Sequence, residues 1–317
     1  MIKYSLTIIL EVERIGNNFI VMIDQDYEII EKVARVTFFG PSNVGKSSLL
    51  NALLECKIAA VSKKVQTTRF NIAGIINEED TQLICYDTPG IFKPEKQLEK
   101  YIVKMAQSLV SESENLCMVI DEFSFKQDVV KFLIQQMQHR NQKVILVINK
   151  SDITTLEQQI KMTDELYASG VIKDIFATSA TKNDGIDRLK KYLLKLAAEE
   201  EWPYQEGIIS DRSEEFVVAE MTREKIYHLC HDELPYTIHV YTEEFIEEED
   251  FFRIKQIIYV KNVAQRKIVI GEKAHKINKI VEEARKDMID ILQKRVHLSV
   301  FVKVEDDIMK ALENSNW

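Results

Sequence analysis

Gly40-Pro41-Ser42-Asn43-Val44-Gly45-Lys46-Ser47, running on through Ser48 into Leu49, Leu50, Leu53 and Leu54, decides how the first part of this 317-residue chain folds. The octet fits GxxxxGK[ST] and stands directly behind Val33–Phe39, an apolar and β-branched run broken only by Arg35 and Thr37. Such a run reads as a buried strand, and the leucine spacing behind the octet as a helix. Phosphate binding needs this setting. Glycines let backbone N–H groups turn inward around phosphate oxygens, and a helix N-terminus adds positive potential. Gly40–Ser48 is therefore a candidate phosphate loop, with Lys46 reaching the β- and γ-phosphates and Ser47 offering a Mg²⁺ ligand.

Working outward, Leu83–Tyr86, Leu116–Ile120 and Val144–Ile148 are further short apolar runs, separated by stretches with helical spacing. Strands alternating with helices imply βαβ units, an α/β fold and a mostly parallel sheet. Three of the intervals carry polar motifs that such a sheet would place beside the phosphate loop. Asp87-Thr88-Pro89-Gly90 puts a carboxylate where it can hold Mg²⁺ through water, and the Gly90 N–H where it can sense a γ-phosphate. The same four residues also suit a plain turn. Asn149-Lys150-Ser151-Asp152 is sharper. The Asp152 carboxylate can accept two hydrogen bonds from the N1 and N2 donors of guanine, whereas adenine would leave it unpaired. Asn149 and Lys150 would hold the base and the loop. Thr178-Ser179-Ala180 comes next, placed to meet the guanine carbonyl through backbone N–H groups. Four motifs in this order point to GTP rather than ATP.

Composition is that of a soluble globular protein, with 45% apolar and 29% charged residues and a formal net charge of −9. That charge argues against attraction of the whole molecule to nucleic acid. Cys56, Cys85, Cys117 and Cys230 form no CxxC pair, which fits a reducing cytoplasm. His228, Cys230 and His231 lie close together, but too few further ligands accompany them for a zinc site, and they read as helix residues. The apolar run Tyr4–Leu10 is too short to span a bilayer and is followed at once by Glu11, Glu13 and Arg14.

Glu199-Glu200-Glu201 and then Trp202-Pro203 interrupt the pattern, so a boundary is expected there, between a first domain at 33–200 and a second at 201–305. Beyond it a helix over Glu215–His231 should lead to strands near Tyr236–Tyr241, Ile254–Val260 and Lys267–Ile270. An amphipathic helix through Ile277, Ile280, Val281, Ala284, Met288, Ile291 and Leu292 comes after them, and Val296–Val304 alternates as a half-buried strand. This is an α+β module. Arg253 to Lys303 holds 13 Lys/Arg against 5 Asp/Glu, a basic surface within an acidic chain. It reads as a phosphate-contacting face, or else as a solvated helix face.

These residues place the chain among the translation-factor-like GTPases, and it resembles the Era family of ribosome-assembly GTPases in particular. The resemblance is carried by Gln66-Thr67-Thr68-Arg69 and Asp87–Ile91, which look like that family's two switches. Asp211-Arg212-Ser213, Glu220–Lys225 and Glu233-Leu234-Pro235-Tyr236 look like the start of its second domain. It runs from about Val33 to about Val304 and implies a P-loop GTPase domain followed by a type II KH domain that binds RNA.

The same resemblance implies roles for single residues. Thr68, with Thr67 as the alternative, would close over Mg²⁺ when γ-phosphate is present. Ile91 stands where many GTPases carry a catalytic glutamine, so intrinsic hydrolysis should be slow. Asn43 matches an asparagine that helps bind K⁺ beside the phosphates in related GTPases, or else it caps the loop. Lys46, Thr68, Gly90 and Asn43 are thus the expected catalytic group. Ile268–Ala274 aligns with a strand and a GXXG loop that clamps an RNA backbone, giving Gly271, Glu272, Lys273, Ala274, Lys276 and Lys279 as RNA-binding candidates. Ala274 replaces the last glycine, and Glu272 would repel phosphate.

The expected partners are small-subunit ribosomal RNA near its 3′ end and the small ribosomal subunit, whose maturation the protein would assist. The rival is a switch whose degenerate KH domain docks a protein or a membrane. A cytoplasmic monomer is expected, with peripheral association at the inner face of the cell membrane left open. Residues 1–32 have no counterpart in the family and could be an extra strand pair or an upstream start. The tail at 306–317 is short and acidic.

Overall fold

The computed structural model describes residues 7–15, 18–26, 30–62, 67–92, 97–230 and 238–305. The readings of Gln66, His231, Glu233–Tyr236 and the tail lie outside the described residues. The chain opens with two antiparallel strands, β1 (Thr7–Ile15) and β2 (Asn18–Asp26), paired from Thr7↔Asp26 to Ile15↔Asn18.

The first large unit shows the alternation that the apolar runs anticipate. In chain order its elements are β3 (Lys32–Phe39), α1 (Lys46–Leu54), β4 (Ile72–Glu78), β5 (Thr81–Asp87), α2 (Gln97–Glu112), β6 (Asn115–Ile120) and α3 (Glu122–Phe125). Then come α4 (Asp128–His139), β7 (Val144–Ile148), α5 (Leu156–Tyr167), β8 (Ile172–Ala177), α6 (Ile186–Leu194) and the two-residue β9 (Ala198–Glu199). The sheet runs β4-β5-β3-β6-β7-β8, with β9 also paired to β3. All neighbours are parallel except β4 on β5 and β9 on β3.

A parallel sheet is covered on both faces, which is why its strands are apolar throughout. Val36 and Phe38 pack with α1 and α6 through Leu49, Leu53, Leu189 and Leu193 on one side. Phe39, Met118 and Leu146 pack with α2, α4 and α5 through Val110, Leu133 and Met162 on the other. The carboxyl ends of β3, β5, β7 and β8 therefore open on one rim, and all four nucleotide motifs begin there.

The second unit comprises α7 (Glu214–Leu229), β10 (His239–Glu247), β11 (Phe251–Val260), α8 (Val263–Ile270), α9 (His275–Leu292) and β12 (Arg295–Val304). β10 pairs antiparallel and β12 parallel with β11, so the α8–α9 pair is the crossover between two parallel strands. One expectation is overturned. Lys267–Ile270 is not a strand but the last turn of α8. Its β-branched run favours a strand locally. However, the Asn262 side chain accepts the Gln265 N–H at 2.9 Å and starts a helix that buries Val269. The Gly271–Ala274 loop therefore joins two helices.

The two units are not strung on a free linker. Residues 200–212 run along the first unit: the Ile75 N–H donates to Ile209 O at 3.0 Å, and the Ala73 N–H to Asp211 Oδ1 at 2.9 Å. One continuous apolar cluster reaches from Leu50 and Leu53 of α1 through Phe216 and Met221 of α7 to Phe252, Met288 and Val296.

Candidate functional site

The loop from Gly40 to Ser47 passes over the N-terminus of α1 with Asn43 at φ +64° and Gly45 at φ +95°. At Gly45 a side chain would also collide with Asn149 Nδ2, so only glycine fits. Lys46 is buried and folds back on the loop, its ammonium donating to Pro41 O at 2.8 Å and Gly40 O at 3.3 Å. Burial lowers its pKa to about 8, with Asp87 acting in the opposite sense.

Beside it three oxygen-bearing side chains converge. Ser47 Oγ lies 2.7 Å from Thr68 Oγ1 and donates to Asp87 Oδ2 at 2.5 Å, while Thr68 Oγ1 lies 3.4 Å from the same carboxylate oxygen. Burial pushes Asp87 up to about 6, against the pull of Lys46 and of hydrogen bonds from Ser47 and Thr68. Among the described residues Asp87 Oδ1 is buried without a partner, an expensive state for a carboxylate oxygen. A hard divalent cation held by oxygen ligands would resolve it, so the residues present fit Mg²⁺. Thr68 stands in this group; Thr67 does not, since its hydroxyl lies 2.6 Å from Ser62 Oγ.

Gly90 closes the other side. A Cβ there would come within 2.6 Å of Ser42 Cα, so its backbone can lie against the loop only as glycine. The next residue, Ile91, donates its N–H to Gly40 O at 3.0 Å and buries its side chain among Phe39 and Met118. That side chain faces the core and cannot orient water.

On the far side of the loop, Asn149 is 2% exposed and acts as a brace. Its Nδ2 donates to Val44 O at 2.9 Å, and its Oδ1 accepts from Thr178 Oγ1 at 3.2 Å and from the Ala180 N–H at 3.3 Å. Lys150, at φ +60°, donates to Asn43 O at 2.7 Å and to Asp121 Oδ2 at 2.6 Å. The Asp152 carboxylate is exposed at the rim and is steadied by Ser179 Oγ at 2.6 Å. Phosphate, metal and base regions thus come together at one rim.

The second candidate region is the α8–α9 loop. Glu272 and Lys273 are exposed, and Ala274 sits at φ +61° as the residue before α9. Lys276 and Lys279 stand on the first turns of α9. This loop and the nucleotide site are separate places on the molecule.

Comparison with known proteins bears on both regions. A family model described as a 50S ribosome-binding GTPase matches residues 35–150, and a KH domain model matches residues 233–307. GTPase Era of Ehrlichia canis is 38% identical over 279 residues, covering 88% of this chain and 94% of that relative. The chain belongs to the Era family of GTPases. Era of Agrobacterium fabrum is 36% identical over 273 residues, covering 86% of each chain. A crystal structure of Era in complex with MgGDPNP and nucleotides 1506–1542 of 16S ribosomal RNA superposes with a TM-score of 0.82. It is 32% identical, covering 89% of this chain and 97% of that one.

As an Era-family member the chain is a GTPase with a P-loop domain and a C-terminal type II KH domain, whose α–β–β–α–α–β order is that of α7 to β12. Sequence reasoning missed Asp121, and it quoted Arg69 and Arg223 only as parts of the Gln66–Arg69 and Glu220–Lys225 motifs, without their structural roles. Asp121 holds Lys150, and its place at the end of the apolar run Leu116–Ile120 was the available signal. Arg69 and Arg223 tie the segment around Thr68 to the KH side, and their two motifs mark the residues but not the backbone carbonyls that they bond.

Proposed function

We propose that this Era-family GTPase binds GTP and Mg²⁺ in the Gly40–Ser48 cradle and uses the nucleotide state to govern how its KH domain holds small-subunit ribosomal RNA near the 3′ end. In this reading it assists maturation of the small ribosomal subunit. The observation that carries the reading is the Era structure holding both MgGDPNP and nucleotides 1506–1542 of 16S ribosomal RNA, to which 89% of this chain is similar at TM-score 0.82.

The residues take these roles. Loop N–H groups from Ser42 to Ser48 cradle the phosphates, and the Lys46 ammonium exchanges its carbonyl partners for β- and γ-phosphate oxygens. Ser47 and Thr68 hold Mg²⁺ directly and Asp87 through water, and the ion would neutralise charge developing on the transferred group. The Gly90 N–H reads the γ-phosphate. Asp152 recognises guanine, with Lys150 beneath the base and Ser179 and Ala180 at its edge. Because Ile91 is buried, no side chain at that position activates water, and Asn43 is assigned a K⁺ that supplies positive charge beside the phosphates. Equal turnover in sodium and in potassium would exclude that assignment.

Gly271–Ala274, Lys276 and Lys279 are assigned to the RNA backbone. The exposed Glu272 favours the second reading, in which the KH domain docks a protein or a membrane. The protein is assigned to the cytoplasm, which its four cysteines, none of them in a CxxC pair, support, and peripheral membrane association belongs to the second reading. Binding of a labelled small-subunit 3′-terminal RNA, against a scrambled control, separates the two. The titration is run with GDP and with a non-hydrolysable GTP analogue at two salt concentrations. Selective, salt-sensitive binding that is tighter with the analogue is expected. Unselective binding without nucleotide dependence would transfer the KH domain to docking.

A further inference from the structure

Arg223 lies mid-way along α7 and is 2% exposed. Its guanidinium holds the Glu220 carboxylate through Nε at 2.6 Å and through Nη2. Its Nη1 donates to Tyr227 Oη at 2.8 Å and, across the domain boundary, to the carbonyl oxygen of Thr67 at 2.6 Å. From the opposite side Arg69, 4% exposed, donates to Ile238 O at 2.8 Å and to the same Tyr227 Oη at 3.1 Å. Thr68, whose hydroxyl meets Ser47 and Asp87, is therefore bracketed by two chain neighbours that are anchored on α7 and on Ile238, the residue before β10.

We propose that Arg223 is a positioning residue for GTP hydrolysis, supplied by the second domain, which holds Thr68 closed over the metal through the Thr67 carbonyl. Glu220 fixes the guanidinium whether or not Thr67 is present, so the donor is pre-formed and favours only the closed arrangement. Withdrawal of the segment would cost the buried Arg69 its bonds to Ile238 O and Tyr227 Oη across the boundary. The link is reciprocal: whatever holds α7 in place favours closure, and closure favours this seating of α7. The proposal rests on the reading of Thr68 as a metal ligand.

The test uses the full-length protein and compares Arg223→Gln, Arg223→Lys, Tyr227→Phe and Thr68→Ala. Single-turnover GTP hydrolysis is measured against Mg²⁺ concentration, with GDP affinity measured in parallel. Arg223→Gln is expected to slow hydrolysis about tenfold, the effect of one lost charge-assisted hydrogen bond, and to raise the Mg²⁺ half-saturation. GDP affinity, which needs no closed Thr68, should stay within about twofold. Arg223→Lys, able to reach one acceptor, should recover part of the rate. A purely structural role would instead lower GDP affinity and leave the Mg²⁺ dependence alone; thermal stability falls in either case, because Glu220 loses its buried partner.

Where Arg223→Gln fails to bind GDP, Tyr227→Phe carries the test, since it removes one hydroxyl from both arginines and keeps the ring. Unchanged rate and Mg²⁺ dependence in a folded Arg223 or Tyr227 variant overturns the proposal. Unchanged behaviour of Thr68→Ala removes the Thr68 reading, and the proposal with it. A slow Thr68→Ala beside normal Arg223 variants removes the proposal alone.

Discussion

Replacing Asn149 by alanine should damage the protein before any nucleotide is added. The side chain spans the phosphate loop and the base loop, with Nδ2 on Val44 O at 2.9 Å and Oδ1 on the Ala180 N–H at 3.3 Å and on Thr178 Oγ1 at 3.2 Å. The threonine hydroxyl can rotate to another acceptor. The Val44 carbonyl, in a buried residue, and the half-buried Ala180 N–H cannot move. Each backbone group left without a partner costs about 1–3 kcal/mol, so the pair amounts to about 2–4 kcal/mol, with Ala180 at the low end because water reaches it. Urea denaturation of the nucleotide-free protein should show a lower midpoint with an unchanged slope. Asn149→Asp should be no more stable than the alanine variant, because its second carboxylate oxygen would be buried facing the Val44 carbonyl oxygen that Nδ2 now satisfies. Guanine-nucleotide affinity of the alanine variant should drop as well, since both loops it joins line the site. A loss below about 1 kcal/mol in the nucleotide-free protein would refute the brace, and leave Asn149 as a contact for the base alone.

His239 offers a test by pH. It is buried at the domain boundary, and burial, with Arg69 and Arg223 nearby, lowers its pKa from 6.5 to about 3. Between those values the unfolded chain binds more protons than the folded one, so stability is full above pH 6.5 and falls as pH falls. From pH 7 to pH 5 this residue should account for about 2 kcal/mol, at 1.36 kcal/mol per pH unit below 6.5. His239→Gln should flatten that slope, and parallel slopes for variant and parent would show that the imidazole is free to charge. Ala274 is held at φ +61°, where a side chain is strained by about 1–2 kcal/mol. Ala274→Gly should therefore hold or raise the denaturation midpoint, despite the entropy that glycine adds to the unfolded chain. A fall in midpoint would mean that the loop relaxes in solution.

The nucleotide rim is readable in the sequence because each motif is local and sits behind an apolar strand. Val33–Phe39, Leu83–Tyr86 and Val144–Ile148 each lie within a strand whose end leads into one of the site's motifs. β4 is harder to see, since Ile72–Glu78 carries a glycine and no motif stands behind it. At Lys267–Ile270 local β-propensity points to a strand, and the cap at Asn262 prevails. Least legible are contacts between residues far apart in sequence. Arg223 bonds a carbonyl 156 positions away, and backbone atoms leave no trace in residue identity. Buried arginines are the one available signal, and burial itself is a property of the fold.

β4 is the last strand of the large sheet, and its outer backbone would otherwise be bare. Residues 209–211 lie against it, with the Ile75 N–H bonded to Ile209 O and a bridge between Gly74 and Ser210. Open strand edges recruit other open edges, so this return of the chain works as a selvedge that stops the sheet from joining its neighbours. A nascent chain emerging from the ribosome lacks that cover until residue 211 has been made. A fragment cut at residue 200 would keep every nucleotide motif and still be prone to self-association along β4.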